Sequence, residues 1–323
     1  MDKPKKIGLL TSGGDAPGMN AAIRAVVRAA HYNGIDVIGV KRGYEGLMTG
    51  DIKELGPHTV SDILHRGGTV LNTARCLEMM TDAGCDKAAM LCKALAMDAL
   101  VVIGGDGSFK GALALSERGV NVVGIPGTID LDMDCTEYSI GFDTAVNTAV
   151  DAISKIRDTS SSHERCSVVE VMGRNAAHIA LWCGVAGGAE VVLVSDEPDN
   201  SPEMVINQIL LNRSKGKRHN LIIVAESVGG SGRLAQEVEK VTGIETRATI
   251  LGYLQRGGAP TAVDRVQASA MGYTAVDLLT KGEMNRAVVY RDGRHGHLDI
   301  KEALAIKKPY DKSLFNIMKT LAV

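Results

Sequence analysis

Short runs rich in Val, Ile and Leu alternate with longer stretches of helical periodicity along almost the whole chain. The runs fall at Lys6–Ser12, Asp36–Val40, Ala99–Gly105, Asn121–Gly127, Cys166–Gly173, Glu190–Asp196, Asn220–Ser227, Ala248–Leu254 and Arg286–Asp292, and each predicts a strand. Several are apolar at successive positions, the pattern of parallel strands covered on both faces. Between them, Pro17 marks a first helical position, and Gly34, Gly119, Gly243 and Gly282 mark helix ends. About nine strands with helices between them exceed one comfortable sheet, which predicts an α/β chain with two parallel-sheet domains. No low-complexity linker divides them, so the chain is expected to cross between domains more than once.

Composition narrows the function classes. With 36 Lys+Arg against 38 Asp+Glu the net charge is −2, and the only dense basic run is Lys215–His219, so a field that binds nucleic acid is absent. Aromatics make up 3% of the chain, which leaves an aliphatic core and no stacking platform for single strands. The most apolar long stretch, Asn175–Val194, is interrupted by His178, by glycines and by Glu190, and reads as a helix followed by a strand, not a membrane span. Six scattered cysteines without a CxxC pair disfavour zinc and disulfides and fit a reducing, cytoplasmic setting. Gly is in excess: 37 residues where ordinary usage of about 7% would give roughly 23.

The glycines cluster at predicted strand ends, where open α/β sheets bind ligands. TSGGDAPGMN (Thr11–Asn20) offers Gly13 and Gly14 for close backbone approach and a helix start with free N–H groups, either a phosphate cradle or a plain βα turn. VVIGGDGSFKG (Val101–Gly111) misses the dinucleotide fingerprint because Lys110 stands where a third glycine belongs. It does place the carboxylate of Asp106 among Gly104, Gly105, Gly107 and Ser108, a setting that suits a magnesium–phosphate complex or a simple Gly-Asp-Gly turn. PGTIDLD (Pro126–Asp132), read as extended, would turn Asp130 and Asp132 to the same side as candidate base and metal ligand. Arg75, Arg165, Arg174, Arg247 and Arg256 sit at predicted strand ends or in glycine-rich loops, as cations for several phosphate groups would.

Taken in order, TSGGDAPGMNAAIR, VVIGGDGS, PGTIDLD, DTSSSHERCSVVEVMGR and ETRATILGYLQRGG resemble the bacterial-type ATP-dependent 6-phosphofructokinase family, from residue 6 to about residue 275. The resemblance implies two Rossmann-like three-layer domains with mostly parallel sheets and the active site in the cleft between them. The larger, ATP-binding domain would comprise 1–141 plus about 255–305, and the smaller, sugar-phosphate-binding domain 142–254 plus about 306–323. It implies phosphorylation of the 1-hydroxyl of fructose 6-phosphate by Mg-ATP, the committing step of glycolysis.

By the same resemblance, Asp130 is the base, Thr128 and Ile129 line the transfer site, and Asp106 serves Mg2+. Gly13, Tyr44, Arg75, Cys76, Gly105, Asp106, Gly107 and Ser108 surround ATP. Arg174 faces the transferring phosphoryl group, while Met172, Gly173, Glu226, Tyr253 and Arg256 hold the sugar. Arg165 and Arg247 come from a neighbouring subunit of a homotetramer to grip the 6-phosphate. Arg24 and Arg28, four residues apart on one helix face, together with Arg157, Glu190, Lys215, Lys217 and His219, resemble an effector site for ADP and phosphoenolpyruvate.

Four departures stand out: Leu131 where the family has Asn, Tyr253 where it has His, and Pro57 and His58 where Arg and Tyr are usual. They leave room for weakened regulation, or for a weakly active paralogue that binds sugar phosphate and nucleotide. Glycine at positions 107 and 127, where pyrophosphate-using relatives carry an acid and a lysine, favours ATP as the donor.

Overall fold

The computed structural model describes residues 3–322; Met1, Asp2 and Val323, included in the expected domain bounds, lie outside the described residues. In chain order the first strands are β1 (Lys6–Ser12), β2 (Asp36–Val40), β3 (Ile52–Leu55), β4 (Ala99–Gly104), β5 (Val122–Pro126) and β6 (Cys166–Val171). They are followed by β7 (Val191–Leu193), β8 (Asn220–Ala225), β9 (Thr246–Ile250), β10 (Arg286–Arg291) and β11 (Arg294–Asp299). The helices are α1 (Met19–Tyr32), α2 (Gly43–Thr49), α3 (Asp82–Ala94), α4 (Asp106–Ser116), α5 (Phe142–Ser162) and α6 (His178–Gly187). Then come α7 (Pro202–Ser214), α8 (Ser231–Thr242), α9 (Ala262–Thr280), α10 (Ile300–Ala305) and α11 (Lys312–Leu321).

The chain divides into two units. One comprises the residues up to Thr144 with Arg256–Lys307, the other Ala145–Gln255 with the residues from Lys308 on. The first holds a seven-stranded sheet in the order β11-β10-β5-β4-β1-β2-β3. Its inner strands run parallel, and only the edge pairs β2–β3 and β10–β11 are antiparallel. β4 is buried at every position, as a strand covered on both faces must be. Leu10, Val102, Leu100 and Val122 meet Tyr44, Leu47, Phe109 and Ile300 on one face. Alternate residues such as Leu9, Val101 and Ile125 turn to the other, where α1 packs along α9. The second unit holds the parallel order β7-β8-β6-β9, with α7 and α8 closing one core over Val168, Ile222 and Val224.

Two strands, β3 and β11, carry no periodic apolar signal; their sequences IKEL and RHGHLD are charged, and no position of either is buried. Both are edge strands, which present one unpaired side to water and tolerate such residues. β9 covers Thr246–Ile250 instead of extending to Leu254, because Gly252 takes a positive φ of 50° and opens a 3-10 turn over Gly252–Arg256. α1 starts at Met19, after Gly18 in the left-handed region, so Pro17 precedes the cap instead of opening the helix. No helix among the described residues is long and apolar enough to cross a membrane.

Candidate active site

In the seven-stranded sheet β1 leads through α1 to β2 on one side, whereas β4 lies on its other side. The strand order therefore reverses between β1 and β4, and their carboxyl ends diverge into a crevice. Register puts Ser12 beside Gly104 and Gly104 beside Pro126, and Gly127 N donates to Gly104 O at 3.0 Å. Three of the sequence motifs thus end abreast, one strand spacing apart.

The first loop is held by the segment that follows it in space. Thr73 Oγ1 donates to Gly13 O at 2.6 Å, Thr11 Oγ1 donates to Asn72 O at 2.9 Å, and Asn20 Nδ2 donates to Arg66 O at 3.0 Å. This brings the exposed Arg75 and the half-buried Cys76 into the segment tied to Gly13. Burial pushes the Cys76 thiol up. Arg256, from the other end of the same unit, also reaches the loop: a Cβ on Gly14 would lie 2.2 Å from its Nη1.

At the end of β4, Gly105 caps α4 without any side-chain acceptor, which leaves first-turn N–H groups available to an anion. Asp106 opens that helix with its Oδ2 2.6 Å from Lys110 Nζ. Tyr44 is buried, and its hydroxyl donates to Ser108 O at 2.7 Å, so it supports the turn from behind. Burial raises its phenol well above the ordinary value. Gly107 is exposed with nothing within 4 Å of an added Cβ.

At the end of β5 the chain does not continue extended as expected. Residues 129–130 form a turn, and Leu131 takes φ +53°, so Asp130 and Asp132 are not successive same-face positions of a strand. Asp130 is 3% exposed; its N–H donates to Thr128 Oγ1 at 3.2 Å, and that hydroxyl lies 3.4 Å from Asp130 Oδ2. Ile129 is buried beside them.

In the smaller unit, the ends of β6 and β8 adjoin. Glu226 N donates to Val171 O, and Glu226 Oε1 accepts from Gly173 N at 3.2 Å and from Arg174 N. Gly173 (φ +148°) and Arg174 (φ +50°) are thus fixed in an unusual turn, and Arg174 is exposed. Met172 N donates to the fully buried Gln255 at 2.8 Å. Tyr253 is exposed on the 3-10 turn after β9.

Arg165 and Arg247 are not part of this group. Arg165 immediately precedes β6 and Arg247 is the second residue of β9, at the amino ends of both strands. They share one carboxylate, with Arg165 Nε and Arg247 Nη2 each 2.7 Å from Glu245. The six residues of β6 separate Arg165 from Met172 by about 20 Å at roughly 3.3 Å per residue, and Arg247 lies level with Ser167 near the start of β6. Both arginines therefore lie at the sheet end opposite Glu226.

Of the remaining candidates, Arg24 and Arg28 belong to α1 of the larger unit. In the smaller unit the buried Glu190 pairs with Lys217 Nζ at 2.7 Å, and Arg157 Nη1 donates to Gly187 O. Lys215 is exposed at the end of α7, and His219 keeps a buried Nε2 with no hydrogen-bond partner. Three residues that the sequence did not single out carry the site's geometry: Gln255, Thr73 and Asp264. Gln255 lies within the quoted ETRATILGYLQRGG stretch, whereas Thr73 and Asp264 fall outside every quoted motif and gave no signal of their own.

Among the described residues no three His, Cys, Asp or Glu side chains gather as a metal cage. A single half-buried carboxylate at a helix start fits Mg2+ held largely by water and phosphate oxygens.

The family model "Phosphofructokinase" matches residues 6–279. ATP-dependent 6-phosphofructokinase of Clostridium botulinum is 56% identical over 318 residues, spanning 98% of this chain and 99% of that protein. ATP-dependent 6-phosphofructokinase 1 of Clostridium perfringens is 55% identical over 317 residues, again spanning 98% and 99%. Phosphofructokinase from Saccharomyces cerevisiae superposes with a TM-score of 0.87 at 33% identity over 99% of this chain; the chain spans about half of it, 48%. A pyrophosphate-dependent phosphofructokinase from Marinobacter aquaeolei shares the fold, with a TM-score of 0.82 at 20% identity over 99% of this chain and 92% of that one.

Proposed function

The chain belongs to the phosphofructokinase family, and we propose that it is an ATP-dependent 6-phosphofructokinase of glycolysis. It moves the γ-phosphoryl group of ATP to the 1-hydroxyl of fructose 6-phosphate, giving ADP and fructose 1,6-bisphosphate. The observation that carries this reading is the row of strand ends in the larger unit. There the Gly13 loop, the Asp106 helix start and the Asp130 turn lie abreast on neighbouring parallel strands.

In this reading the N–H groups of Gly105–Gly107 and the Gly13 loop cradle the phosphates beside Ser108, whose own N–H is taken by Gly105 O, and Arg75 and Cys76 flank the nucleotide. Asp106 would hold Mg2+, which supplies neutralisation of charge on the phosphate oxygens. Asp130 takes the proton from the sugar's 1-hydroxyl as that oxygen attacks phosphorus, while Thr128 orients the carboxylate. Arg174 compensates the charge spreading over the transferring oxygens. Met172, Gly173, Glu226, Tyr253 and Arg256 hold the sugar phosphate. Little covalent work falls to the protein; alignment and fixed charge do the rest.

The placement of Arg165 and Arg247 at the far end of their sheet supports their service to a neighbouring copy's 6-phosphate in a homotetramer. Arg24, Arg28, Arg157, Glu190, Lys215, Lys217 and His219 make up the effector site, for ADP- or phosphoenolpyruvate-type ligands. A cytoplasmic location goes with the reaction.

The test is a coupled assay with fructose 6-phosphate and either ATP or pyrophosphate. Turnover with ATP is expected to exceed turnover with pyrophosphate, and Asp130→Asn to lower kcat by about 10²–10⁴-fold. Faster turnover with pyrophosphate, or a loss below tenfold, would overturn the assignment.

A further inference from the structure

Asp264 is completely buried in the third position of α9 after the Thr261 cap, a place from which an acid usually turns back to its own helix's cap N–H. Here that N–H is taken by another group, since Thr261 N donates to Thr144 Oγ1 at 3.0 Å. The Asp264 carboxylate is turned instead toward the segment that follows the Asp130 turn. Its Oδ1 accepts from Tyr138 OH at 2.6 Å and from Gly141 N at 2.7 Å. Its Oδ2 accepts from Thr144 N at 2.8 Å and from Thr144 Oγ1.

All four donors lie within residues 138–144, and that stretch is laid directly against the catalytic turn. Ser139 Oγ donates to Thr128 O at 2.7 Å, Ile140 N donates to Pro126 O at 3.0 Å, and Ile140 bridges to Gly127. Gly141, at φ +104°, fills a slot so tight that a Cβ would stand 2.7 Å from Ala16 and 3.1 Å from Ile129 Cγ2. Its neighbours on either side are therefore the first glycine loop and the residue before Asp130. A buried carboxylate is costly unless every lone pair is used, and burial does push this one's pKa up while its donors pull it back. An asparagine would offer one acceptor oxygen to four donors.

We propose that Asp264 is a positioning residue for phosphoryl transfer: through Tyr138, Gly141 and Thr144 it clamps residues 138–141, which in turn fix the Thr128 carbonyl and the Asp130 turn. The inference rests on the reading of Asp130 as the base. Its effect reaches Asp130 through the Ser139–Thr128 contact, so the losses from removing the two ends of that path should overlap and not multiply.

The experiment compares Asp264→Asn, Ser139→Ala and the double variant in the full-length enzyme, with circular dichroism to confirm folding. A displacement of about 1 Å at a reacting group costs on the order of 10²-fold. Asp264→Asn is therefore expected to lower kcat by about 100-fold, with KM for both substrates within about threefold. Ser139→Ala should lower kcat about tenfold, and the double variant should be no slower than Asp264→Asn within about twofold, the non-additivity of a shared path. Folded Asp264→Asn enzyme with kcat within about threefold of wild type, or losses that multiply, would overturn the proposal. Should Asp264→Asn fail to fold, Tyr138→Phe paired with Ser139→Ala puts the same non-additivity question with milder changes. Asp130→Asn, run alongside, separates the two ideas: if it stays active, the base assignment fails; if it is inactive while Asp264→Asn is not, the clamp fails.

Discussion

The Arg256 guanidinium occupies the space that a side chain at position 14 would take, 2.2 Å from where a Cβ on Gly14 would stand. A cation from the start of the second segment of the larger unit is thereby seated on the first glycine loop. Gly14→Ala should leave the fold intact, because Gly14 is exposed and does not adopt a left-handed conformation. The arginine must move, however, and kcat/KM for fructose 6-phosphate should fall by roughly 10–100-fold, in line with the displacement of a positioned binding group. Steady-state kinetics beside a thermal melt check this; wild-type kinetics would show that Arg256 has no need of that seat.

Gly107 stands in open space, so its lack of a side chain serves no packing need. Gly107→Asp should melt at the wild-type temperature within a degree or two. A carboxylate about 4 Å from a phosphate would oppose nucleotide binding by up to about 4 kcal/mol at an effective dielectric near 20. The expected result is a large rise in KM for ATP with little change in stability, read from ATP titrations and melts of one preparation. Unchanged ATP kinetics would remove position 107 from donor selection.

Leu131 holds φ +53°, a conformation that costs a branched side chain about 1–2 kcal/mol and that asparagine tolerates. Leu131→Asn should stabilise the protein by about 1 kcal/mol, less whatever the half-buried leucine contributes by burial. Urea unfolding should show a higher midpoint at an unchanged slope. A lower midpoint would mean that the burial of Leu131 outweighs its backbone strain.

Arg165's hydrogen bond, and then the charges of Arg165 and Arg247, hold the Glu245 carboxyl below its ordinary value of 4.5. A depressed folded value means that the pair's stabilisation is fully present above the unfolded value and is lost as pH falls through the folded one. The difference in melting temperature between wild type and Glu245→Gln should therefore stay constant from neutral pH to about 5 and shrink only below 4.5. A difference that already fades between pH 7 and 5 would contradict the pairing.

The inner strands were legible because burial on both faces demands uninterrupted apolar residues: KIGLLTS and DVIGV match β1 and β2 at both ends. β3 and β11 were not, because an edge strand is specified by its neighbour's unpaired hydrogen-bonding groups and not by its own hydropathy. The PGTIDLD turn misled for a related reason. Alternation implies an extended chain, but this one turns at residues 129–130 beside Ser139, and the alternation does not announce a positive φ at Leu131.

The order of residues along the chain determined which chemistry is available: glycines for phosphate approach, carboxylates at two strand ends, guanidiniums in several loops. It also determined the alternation of strand and helix, because periodicity is a local property of side chains. Tertiary structure alone decided which of those groups share a site. Strand order set Gly13, Asp106 and Asp130 abreast, and strand direction sent Arg165 and Arg247 to the opposite end of the smaller sheet from Glu226. The carboxylate of Asp264, which no sequence motif singled out, meets Tyr138, Gly141 and Thr144 beside the Asp130 turn only because α9 packs where they can reach it. Side-chain type is written locally, whereas distance between strand ends is a consequence of how the whole sheet closes its core.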